Sequence, residues 1–535
     1  MKITRVDLPG PLILKDTTKL NIGGSDDIYG ANSIQIFPQF VDASGHYTAN
    51  LSQTHADAQG FLDWLGTWHR GNFWKKDGNV QVWEYEEPYD HWQGTYGLDA
   101  VLIAYHSGHG GMDGNGVYSI PLGGTWSGRN WANSSAMQLG NQVNRYLFWS
   151  TCQSLKVPDV TDVNPGRLAP WSTWGSPKTQ GVRMIFGFQS NSYDDPNYGK
   201  NFGNNYNAGQ SFRDAWINAS WAISRHQIAT IAATGSTRDE ALNRLAQERK
   251  FEWGATSQNW WAWSWTTGYQ FPLAAIAKPP ILEKSEQVVF GGTILDEKQL
   301  SALAEQLGFT KKEAGQMGLL RDGSFWVSGK KQRLVVDSEG RLQGTLAESN
   351  LNNQVALSPD KALNIAQKFI KDHNFEKEGI QLKTDGMRQN VVQTGSPNGS
   401  GMLNTPIVTD TTVLFRQTVN NRTAINANHG LVMITIDNDG KVTQIHNSTK
   451  PVQDLRKGQI TPGSEEVTPA QLDQQFKSVL EQKSGLSING NTSLIDSVSG
   501  YDFSGLYTAD LVNSREYEVK VNDQISKRYK VRIPV

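Results

Sequence analysis

Apolar residues in the first 265 positions fall into short runs separated by segments of helical periodicity, an order that predicts β-α-β units. Two runs, 98–105 (LDAVLIAY) and 146–150 (YLFWS), lack polar alternation, which is typical of strands buried on both faces of a parallel sheet. The same pattern predicts strands at 33–37, 79–85 and 181–188 and helices at 56–67, 134–143 and 209–224. We therefore expect an α/β fold with a mostly parallel sheet and flanking helices, in which 134–143 crosses between the two central strands.

Beyond position 280 the pattern changes to helices followed by hairpins, which predicts α+β domains. Ser358 followed by Pro359 is a typical helix start, and 437–440 (DNDG) is a turn sequence between two strands. The remaining predicted elements are helices at 296–307, 358–371 and 468–482 and strands at 324–327, 333–337, 412–418, 430–436, 441–447, 516–521 and 528–533. The pair Pro279-Pro280 stops a helix and predicts an extended linker between the two parts of the chain.

Composition supports that division. Of 18 tryptophans, 17 lie at or before Trp265 and only Trp326 follows. The formal net charge of −2, with 19% charged residues, leaves no basic surface of the kind that binds nucleic acid. A chain of 535 residues exceeds what one hydrophobic core usually serves, so several domains are expected.

No segment approaches the length of about 20 apolar residues that a membrane-spanning helix needs, so we expect no membrane span. Residues 1–7 (MKITRVD) lack the apolar core of a signal peptide. The aromatic, Asn-rich first region nevertheless favours a secreted or cell-envelope protein.

The chemistry-bearing residues follow the two buried runs. His109 comes just after the first run in 105–111 (YHSGHGG), and Cys152 just after the second in 150–154 (STCQS). Parallel neighbouring strands would deliver both side chains to the same edge of the sheet, where α/β proteins bind their ligands. An imidazole can take the proton of a thiol, so that the thiolate attacks a carbonyl carbon, and can then protonate the leaving amine.

Glycine beside the histidine would let backbone N–H groups approach the reacting carbonyl, so the amides of Gly110 and Cys152 are a predicted oxyanion hole. Cys152 is the only cysteine, which excludes an internal disulfide and a multi-cysteine metal cluster. His106 and His109 lack the helical spacing of a zinc protease, so neither a metal nor a cofactor is predicted. A lone cysteine can also be a buried apolar residue, and this alternative stays open.

An apolar strand that ends in His-Gly, followed some tens of residues later by one that ends in Cys, resembles the caspase-like cysteine peptidases. That superfamily includes the legumain, gingipain, separase and clostripain types, and the resemblance covers residues 30–240. It implies a caspase-hemoglobinase fold in which His109, Gly110 and Cys152 match the family's histidine, glycine and nucleophile. The Gln-Ala-Cys-x-Gly signature of true caspases is absent, and no residue indicates the preferred substrate side chain.

A second resemblance covers residues 355–450, where the helix at 362–370 and the segments 414–421 and 429–442 are similar to thermolysin-type propeptide and PepSY domains. Such domains assist or inhibit a neighbouring peptidase. Together the resemblances imply a caspase-like catalytic domain at 1–278, a small α+β domain at 279–350, a propeptide/PepSY-like α+β domain at 351–455 and a C-terminal α+β domain at 456–535.

The leading hypothesis is therefore a cysteine endopeptidase that acts on peptide or protein substrates through a Cys152–His109 dyad. Its C-terminal half would inhibit it within the same chain, as in a zymogen. The alternative is an inactive protein of the same fold that binds glycans or protein ligands with a Trp-rich surface, for which 260–265 (WWAWSW) is a candidate. The loop 191–198 is a candidate pocket wall or cation site through Asp194 and Asp195, or an ordinary turn.

Overall fold

A computed structural model describes residues 10–11, 28–86, 92–158, 168–267, 286–291, 297–320, 322–376, 379–398, 403–457 and 467–535. The predicted linker at 279–280 and the N-terminal residues 1–7 lie outside these ranges. The helices within them are α1 (Thr54–Leu65), α2 (Trp92–Thr95), α3 (Pro170–Trp174), α4 (Tyr198–Asn207), α5 (Phe212–Trp221), α6 (Arg238–Gln247), α7 (Glu297–Gln306), α8 (Lys311–Ala314), α9 (Pro359–Asp372) and α10 (Pro469–Ser484).

The strands of the first half are β1 (Tyr29–Ser33), β2 (Phe73–Lys76), β3 (Ile103–Ser107), β4 (Gly111–Met112), β5 (Tyr118–Trp126), β6 (Arg129–Asn133), β7 (Tyr146–Ser150), β8 (Met184–Phe188), β9 (Ala229–Gly235) and β10 (Trp260–Thr266). Those of the second half are β11 (Glu286–Phe290), β12 (Met317–Leu319), β13 (Phe325–Ser328), β14 (Arg333–Val336), β15 (Leu342–Thr345), β16 (Gln381–Gly395), β17 (Ile407–Val419), β18 (Arg422–Thr423), β19 (Leu431–Asp437), β20 (Val442–Asn447), β21 (Val452–Lys457), β22 (Thr492–Asp502), β23 (Thr508–Lys520) and β24 (Ser526–Pro534).

A single sheet of sixteen strands runs through both halves of the described chain. Its order is β12-β13-β14-β15-β20-β19-β17-β16-β10-β9-β8-β7-β3-β1-β2, with β18 paired to β17. Strand β16 pairs with β10 over six positions, from Trp261 opposite Gly395 to Thr266 opposite Asn390. The sheet therefore crosses the boundary at 278 without a break in its hydrogen bonding.

The prediction of a mostly parallel, caspase-hemoglobinase-like sheet is wrong. Only the pairs β1–β2, β1–β3, β3–β7 and β7–β8 are parallel, whereas the other pairs of the large sheet are antiparallel. Among the described residues, strand content also exceeds helix content, at 36% against 23%. The β-α-β pattern of the first half does not hold for the whole sheet. Antiparallel partners such as β10 and β16 lie more than a hundred residues apart, so their pairing leaves no pattern in the local sequence.

Three predicted elements of the first half are also wrong. The strand predicted at 33–37 is absent, because β1 ends at Ser33. Residues 134–143 form a loop because the Asp99 carboxylate accepts hydrogen bonds from the backbone of Gly140, Gln142 and Asn144. The connection from β3 to β7 contains the small antiparallel sheet β4-β5-β6 in place of a crossover helix. Residues 79–85 contain a short 3-10 turn, Val82–Glu84, in place of a strand.

Other predictions are confirmed. Strand β7 coincides with the predicted run, and α9 begins after Ser358, whose side chain accepts a hydrogen bond from the Lys361 amide. Thr468 caps α10 in the same way through a bond from the Gln471 amide. Each cap satisfies a donor that the helix itself leaves unpaired.

The parallel segment is covered on both faces. On one face, Tyr105 and Phe148 pack with the aromatic side chains of α1, α4 and α5. On the other face, Trp149 shares a core with Phe476 of α10 and with Tyr529 of β24. Strand β24 pairs with β23, which belongs to a five-stranded sheet with β22, β11 and β21. The last 70 residues thus complete the core of the first half.

Candidate functional site

The carboxyl ends of β3 and β7 lie side by side. The two strands pair in parallel with Ser107 opposite Ser150, and the Gly108 amide bonds to the Ser150 carbonyl at 3.5 Å. His109 and Cys152 each lie two residues beyond this paired position. The neighbouring parallel strands predicted from the sequence are present, and they bring the two loops to one edge.

The carboxylate of Asp57 in α1 links the ends of β3 and β7. Its carboxylate accepts hydrogen bonds of 2.8 Å from the hydroxyls of Tyr105 and Ser107, and it also interacts with Ser150. Burial raises the pKa of Asp57 to about 6, and the hydrogen bonds from Ser150 and its neighbours limit that rise. One carboxylate thus fixes the ends of both strands that carry the candidate residues.

Cys152 is buried in a turn with a strained backbone. The Ser192 amide donates to the thiol sulfur at 3.3 Å, and the Ser192 hydroxyl lies 3.5 Å from it. The next residue, Gln153, has φ of +53°, a left-handed conformation that costs a non-glycine residue about 1–3 kcal/mol. Gln153 is tied to its surroundings by bonds from its amide to Ser190 O and from its side chain to Asn191. This turn fixes the sulfur against the backbone at Ser192.

His109 is hydrogen-bonded to Ala49. Its Nε2 lies 2.9 Å from the carbonyl oxygen of Ala49, so Nε2 carries the proton, and Nδ1 has no hydrogen-bond partner among the described residues. The ring packs against Phe37 and Phe40 at centroid distances of 4.7 and 6.0 Å. No hydrogen bond joins the described side chains of His109 and Cys152, so the structure brings the loops together but not the reacting atoms.

The imidazole is held neutral. Burial, and to a lesser extent the Lys527 ammonium, lower the pKa of His109 to about 3, and the bond to Ala49 only partly opposes this. His106 lies beneath it, with Nδ1 2.8 Å from the Tyr85 hydroxyl and a pKa of about 3 for the same two reasons. Neither ring carries a positive charge at neutral pH in this conformation.

Gly110 is constrained by packing. A Cβ atom at this position would lie 2.5 Å from the hydroxyl oxygen of Tyr118, which is itself hydrogen-bonded to Thr151 next to the candidate nucleophile. The neighbouring Gly111 has the same need, since its Cβ would lie 2.2 Å from the carbonyl oxygen of Gln524. The predicted oxyanion role of Gly110 stays a prediction, because close packing alone accounts for the glycine.

Lys527 of β24 lies between the two candidate loops. Its ammonium donates to the Ser192 hydroxyl at 3.0 Å and to the Gly108 carbonyl at 3.3 Å, and the residue is only 2% exposed. Among the described residues, no carboxylate lies within 4.0 Å of this ammonium. A buried cation without an anionic partner is costly, so its position depends on the packing of the strand around it.

Strand β24 also pairs with the loop that holds the thiol. The Arg528 amide donates to Ser192 O at 3.2 Å, and the Asp194 amide donates to Arg528 O at 3.0 Å. Extended chain of the C-terminal segment is therefore hydrogen-bonded as an added strand to residues 192–194, directly beside Cys152.

Ion pairs and hydrogen bonds of charged side chains join strands β22–β24 to the first half. Glu516 accepts hydrogen bonds from Tyr193 at 2.5 Å and Ser224 at 2.7 Å and pairs with Lys530 at 2.7 Å. A second pair joins Asp496 to His226 at 2.9 Å. Burial alone would raise the pKa of Asp496, but His226 and Arg225 lower it to about 2.

The other sequence candidates have structural roles. The Asp194 carboxylate accepts bonds from the amides of Ser52 and Gln53 at the start of α1, and the carboxylate of Asp195 bonds to Asn197. The described part of the chain contains no group of three His, Cys, Asp or Glu side chains placed to hold a metal ion. No described helix is long and apolar enough to cross a lipid bilayer, in agreement with the prediction.

The tryptophan cluster at 260–265 is β10, in the middle of the sheet. Trp261 and Trp263 are fully buried. A different set of tryptophans, from the segments around β2 and β5, lies nearer the surface: Trp92 is 38% exposed and its ring centroid lies 5.6 Å from that of Trp83 and 5.4 Å from that of Trp126.

Sequence reasoning missed Asp57 and Lys527, and it named the loop of Ser192 only as a candidate pocket wall. Asp57, Ser192 and Lys527 stand in ordinary helix, loop and strand patterns. Only the third carries a signal that could have been noticed: β24 alternates buried and half-exposed positions, and a lysine stands at a position of the buried face. That signal is weak without knowledge of what the strand packs against.

Comparison with known proteins gives little to add. Residues 39–265, less than half of the chain, match the family model described as Domain of unknown function (DUF6345). No curated protein matches. An uncharacterized protein from Eubacterium rectale ATCC 33656 is similar at 10% identity over 47% of this chain and 82% of its own, with a TM-score of 0.29. The C-terminal domain of YpeB from Bacillus megaterium is similar at 15% identity over 45% of this chain and 94% of its own, with a TM-score of 0.21. Similarities this low carry no argument, so any function must be argued from the site itself.

Proposed function

We propose that the chain is the latent form of a cysteine endopeptidase, with Cys152 as nucleophile and His109 as general base and acid. The single observation that carries the proposal is the position of Lys527, whose ammonium bonds to both candidate loops from a strand of the C-terminal segment. A buried structural cysteine does not need a lysine of another strand beside it. A nucleophile that must stay inactive until that strand is displaced does need one.

The chemistry begins once β24 is displaced. The ring of His109 then turns Nδ1, which has no partner in the described structure, toward Cys152 and takes the thiol proton. The thiolate attacks the substrate carbonyl carbon, and the backbone amides of Gly110 and Cys152 stabilise the resulting oxyanion. The imidazolium gives its proton to the leaving amine as the peptide bond breaks. Water then attacks the thioester, with His109 as base, and releases the acid and the free thiol.

Latency follows from two features of the same contact. A histidine whose pKa is about 3 is too weak a base at neutral pH to take the proton of a thiol. The strand that lowers this pKa also fills the space beside Cys152 and pairs with residues 192–194. Displacing β24 would remove the Lys527 charge and admit water, and both changes raise the pKa of His109 toward its ordinary value.

The pairing also supports a mode of substrate binding. Ser192 and Asp194 present a backbone carbonyl and a backbone amide to Arg528, which is extended. A peptide or protein substrate in extended conformation would use the same two groups after the strand leaves. The substrate is therefore proposed to replace a segment of this chain.

The test uses the full-length protein, because cutting the chain at 280 would strip β16 from β10 and expose a buried sheet edge. Four proteins are compared: wild type, Lys527→Met, Lys527→Met with Cys152→Ser, and Lys527→Met with His109→Ala. The matched control is Lys520→Met, at an exposed position of the same hairpin. Cys152 alkylation is measured for each protein that keeps the thiol, and digestion of a peptide library is measured for all of them.

We expect Lys527→Met to speed alkylation by about tenfold or more, equivalent to about 1.4 kcal/mol of easier opening, and to give peptide cleavage. Cleavage should vanish with Cys152→Ser and with His109→Ala, and Lys520→Met should behave as wild type. Fast alkylation without any cleavage would refute the peptidase. Equally slow alkylation in wild type and in Lys527→Met would also refute the proposal that Lys527 and its strand block the thiol.

A non-catalytic binding protein is the second candidate. The half-exposed rings of Trp83, Trp92 and Trp126 favour it, because neighbouring indoles form a stacking surface for sugars. Binding of the wild type and of Trp92→Ala to a glycan array tests this proposal. Binding that depends on Trp92 in a protein that cleaves no peptide would favour the second candidate over the first.

A further inference from the structure

A polar cavity of about 270 Å³ lies beside residues 192–194, the segment that pairs with β24. Its walls come from both halves of the chain. The first half contributes the start of α1, the loop 193–196 and Ile223, and the C-terminal segment contributes Lys483, Tyr529 and Lys530. The cavity adjoins Cys152 through Ser192, whose amide donates to the thiol sulfur. It therefore lies where a peptide in the place of β24 would direct a side chain.

The two halves bring opposite charges to this cavity. Asp194 and Asp195 are the charged residues of the first-half wall, and the described lining residues of that wall include no Lys, Arg or His. The cations Lys483 and Lys530 belong to the C-terminal segment, and the Lys483 ammonium donates to the Lys530 carbonyl at 3.1 Å. When β24 is displaced, Lys530 leaves with it and Lys483 loses that contact. The wall that stays behind holds two carboxylates, which favours a positively charged group in a replacing peptide.

Asp195 has one carboxylate oxygen without a partner. Its Oδ1 accepts hydrogen bonds of 3.0 and 2.9 Å from the amide and the side chain of Asn197, whereas Oδ2 has no hydrogen bond or ion pair among the described residues. Asp194 differs, because both of its oxygens are bonded at the start of α1. Burial raises the pKa of Asp195, and the Asn197 bonds and the Lys530 charge only partly oppose this rise. A cation that enters the cavity would stabilise this carboxylate.

The tyrosine of β24 fills the cavity only in part. Tyr529 follows Arg528, the residue that pairs with the loop, and it is only 2% exposed. Its hydroxyl is buried and has no hydrogen-bond partner among the described residues, which is unfavourable for a polar group. The wall thus leaves both this hydroxyl and Oδ2 of Asp195 unpaired. A long, positively charged side chain in the place of Tyr529 would remove the first defect and satisfy the second.

We propose that the cavity is a substrate pocket for a lysine or arginine side chain, whose cationic end pairs with Oδ2 of Asp195. The backbone of the peptide adds to residues 192–194 in the place of β24, and its basic side chain takes the position of Tyr529. This inference rests on the proposed function, because it takes the peptide that replaces β24 as the substrate. It adds the chemical class of that substrate, an extended peptide with a basic residue at a fixed distance from Cys152.

Binding of peptides to the opened full-length chain tests the pocket separately from catalysis. The protein is Lys527→Met with Cys152→Ser, which lacks the thiol, and the probes are fluorescent peptides with the sequence of residues 525–532 (ISKRYKVR). The peptide residue that corresponds to Tyr529 is lysine, arginine or norleucine, the uncharged counterpart of lysine. The protein is also prepared with Asp195→Asn, which removes the charge and keeps an acceptor for the bonds from Asn197. Asp63→Asn, at an exposed carboxylate of α1, is the matched control.

We expect the lysine and arginine peptides to bind about tenfold or more tightly than the norleucine peptide, as measured by fluorescence anisotropy. Asp195→Asn should abolish this difference, and Asp63→Asn should keep it. Equal affinity of the lysine and norleucine peptides would overturn the inference. The same holds for a difference that Asp195→Asn leaves unchanged, and for a complete lack of peptide binding.

Cleavage separates this inference from the proposed function. Digestion of the peptide library by Lys527→Met without a preference for lysine or arginine would support the peptidase and overturn the pocket. Basic peptides that bind through Asp195 but are not cleaved by Lys527→Met would support the pocket and refute the peptidase.

Discussion

Two of the contacts that join the halves of this molecule are built differently. At the first, β10 and β16 share a ladder of six residue pairs, and Trp261 and Trp263 are fully buried in the core beneath it. At the second, the hairpin β23–β24 lies on the candidate site through apolar side chains such as Tyr529, a few backbone bonds and a set of charged side chains, notably Glu516 and Lys527.

The difference lies in what each contact needs in order to open. Separating β10 from β16 would expose tryptophans and unpaired strand edges, so it is equivalent to unfolding. Releasing the hairpin would expose apolar residues such as Tyr529 and Val531, but it would also return several buried charges to water. Regions whose contacts are partly polar open locally at lower free energy than the global unfolding. We infer that the first contact is permanent and the second can be released.

The largest effect is expected at the permanent contact. Trp263→Ala removes a fully buried indole next to Trp171 and should lower the free energy of unfolding by about 3–5 kcal/mol. Both halves should lose structure in the same transition, because one sheet runs through them. Urea unfolding followed by circular dichroism measures the loss, with Tyr507→Ala, at a residue 74% exposed, as the control. A loss below about 1 kcal/mol would show that the core at β10 is not shared.

A smaller, local effect is expected at Glu516 and its partners in the hairpin contact. Glu516→Ala leaves Lys530 without its partner and removes the acceptor for Tyr193 and Ser224. Because the Lys530 side chain is 19% exposed, we expect about 2–3 kcal/mol, less than the full cost of breaking a buried pair. Hydrogen exchange should become faster across 508–534 and stay slow in β16 and β17.

Glu518→Ala is the matched control for Glu516→Ala, since the Glu518 carboxylate pairs with Arg528 at 2.8 Å but is 30% exposed. It should change the exchange rates little, as exposed pairs contribute at most about 1 kcal/mol. Faster exchange throughout the sheet in Glu516→Ala would contradict a separately opening hairpin.

The pH dependence gives a third test, at His109 under the hairpin. Its folded pKa of about 3 lies below the ordinary value, so the unfolded chain binds more protons between those values. The stability that depends on neutral His109 is complete above about pH 6.5 and is lost as the pH falls toward 3. We expect the wild type to lose about 2 kcal/mol more than His109→Gln between about pH 7 and pH 5.

Urea midpoints at each pH measure that difference. The buried carboxyls Asp57 and Asp99, with pKa values raised to about 6 by burial, act in the opposite direction, but they are present in both proteins and cancel. Equal pH profiles for wild type and His109→Gln would show that the ring is solvated and not covered by the hairpin.

The sequence predicted the central strands of the site but not the C-terminal strand β24 that packs over them. Unbroken apolar runs identify strands buried on both faces, and β3 and β7 therefore brought the loops of His109 and Cys152 to one edge, as predicted. The contact of Lys527 with Gly108 joins residues 419 positions apart. No local pattern records such a pairing, because periodicity reports which face of an element is buried and not what buries it.

The errors have the same origin. The loop at 134–143 reads as a helix by periodicity, yet the buried Asp99 carboxylate offers its backbone amides a better set of partners than a helix would. The antiparallel majority of the large sheet arises from strands such as β16, whose alternation is ordinary and whose partner β10 is distant in the chain. Tertiary contacts decide both cases.

The smallest effect serves to separate global from local opening. Ser358→Ala removes the N-cap of α9, a helix that belongs to neither contact, and should cost about 1 kcal/mol of global stability. If Cys152 becomes reactive through release of the hairpin, this loss leaves its alkylation rate unchanged, because global unfolding is a much rarer event than local opening. Lys527→Met should show the reverse, with little loss in urea and fast alkylation. Equal acceleration of alkylation in both variants would mean that the thiol is exposed only when the whole sheet unfolds, and the two contacts would then be one.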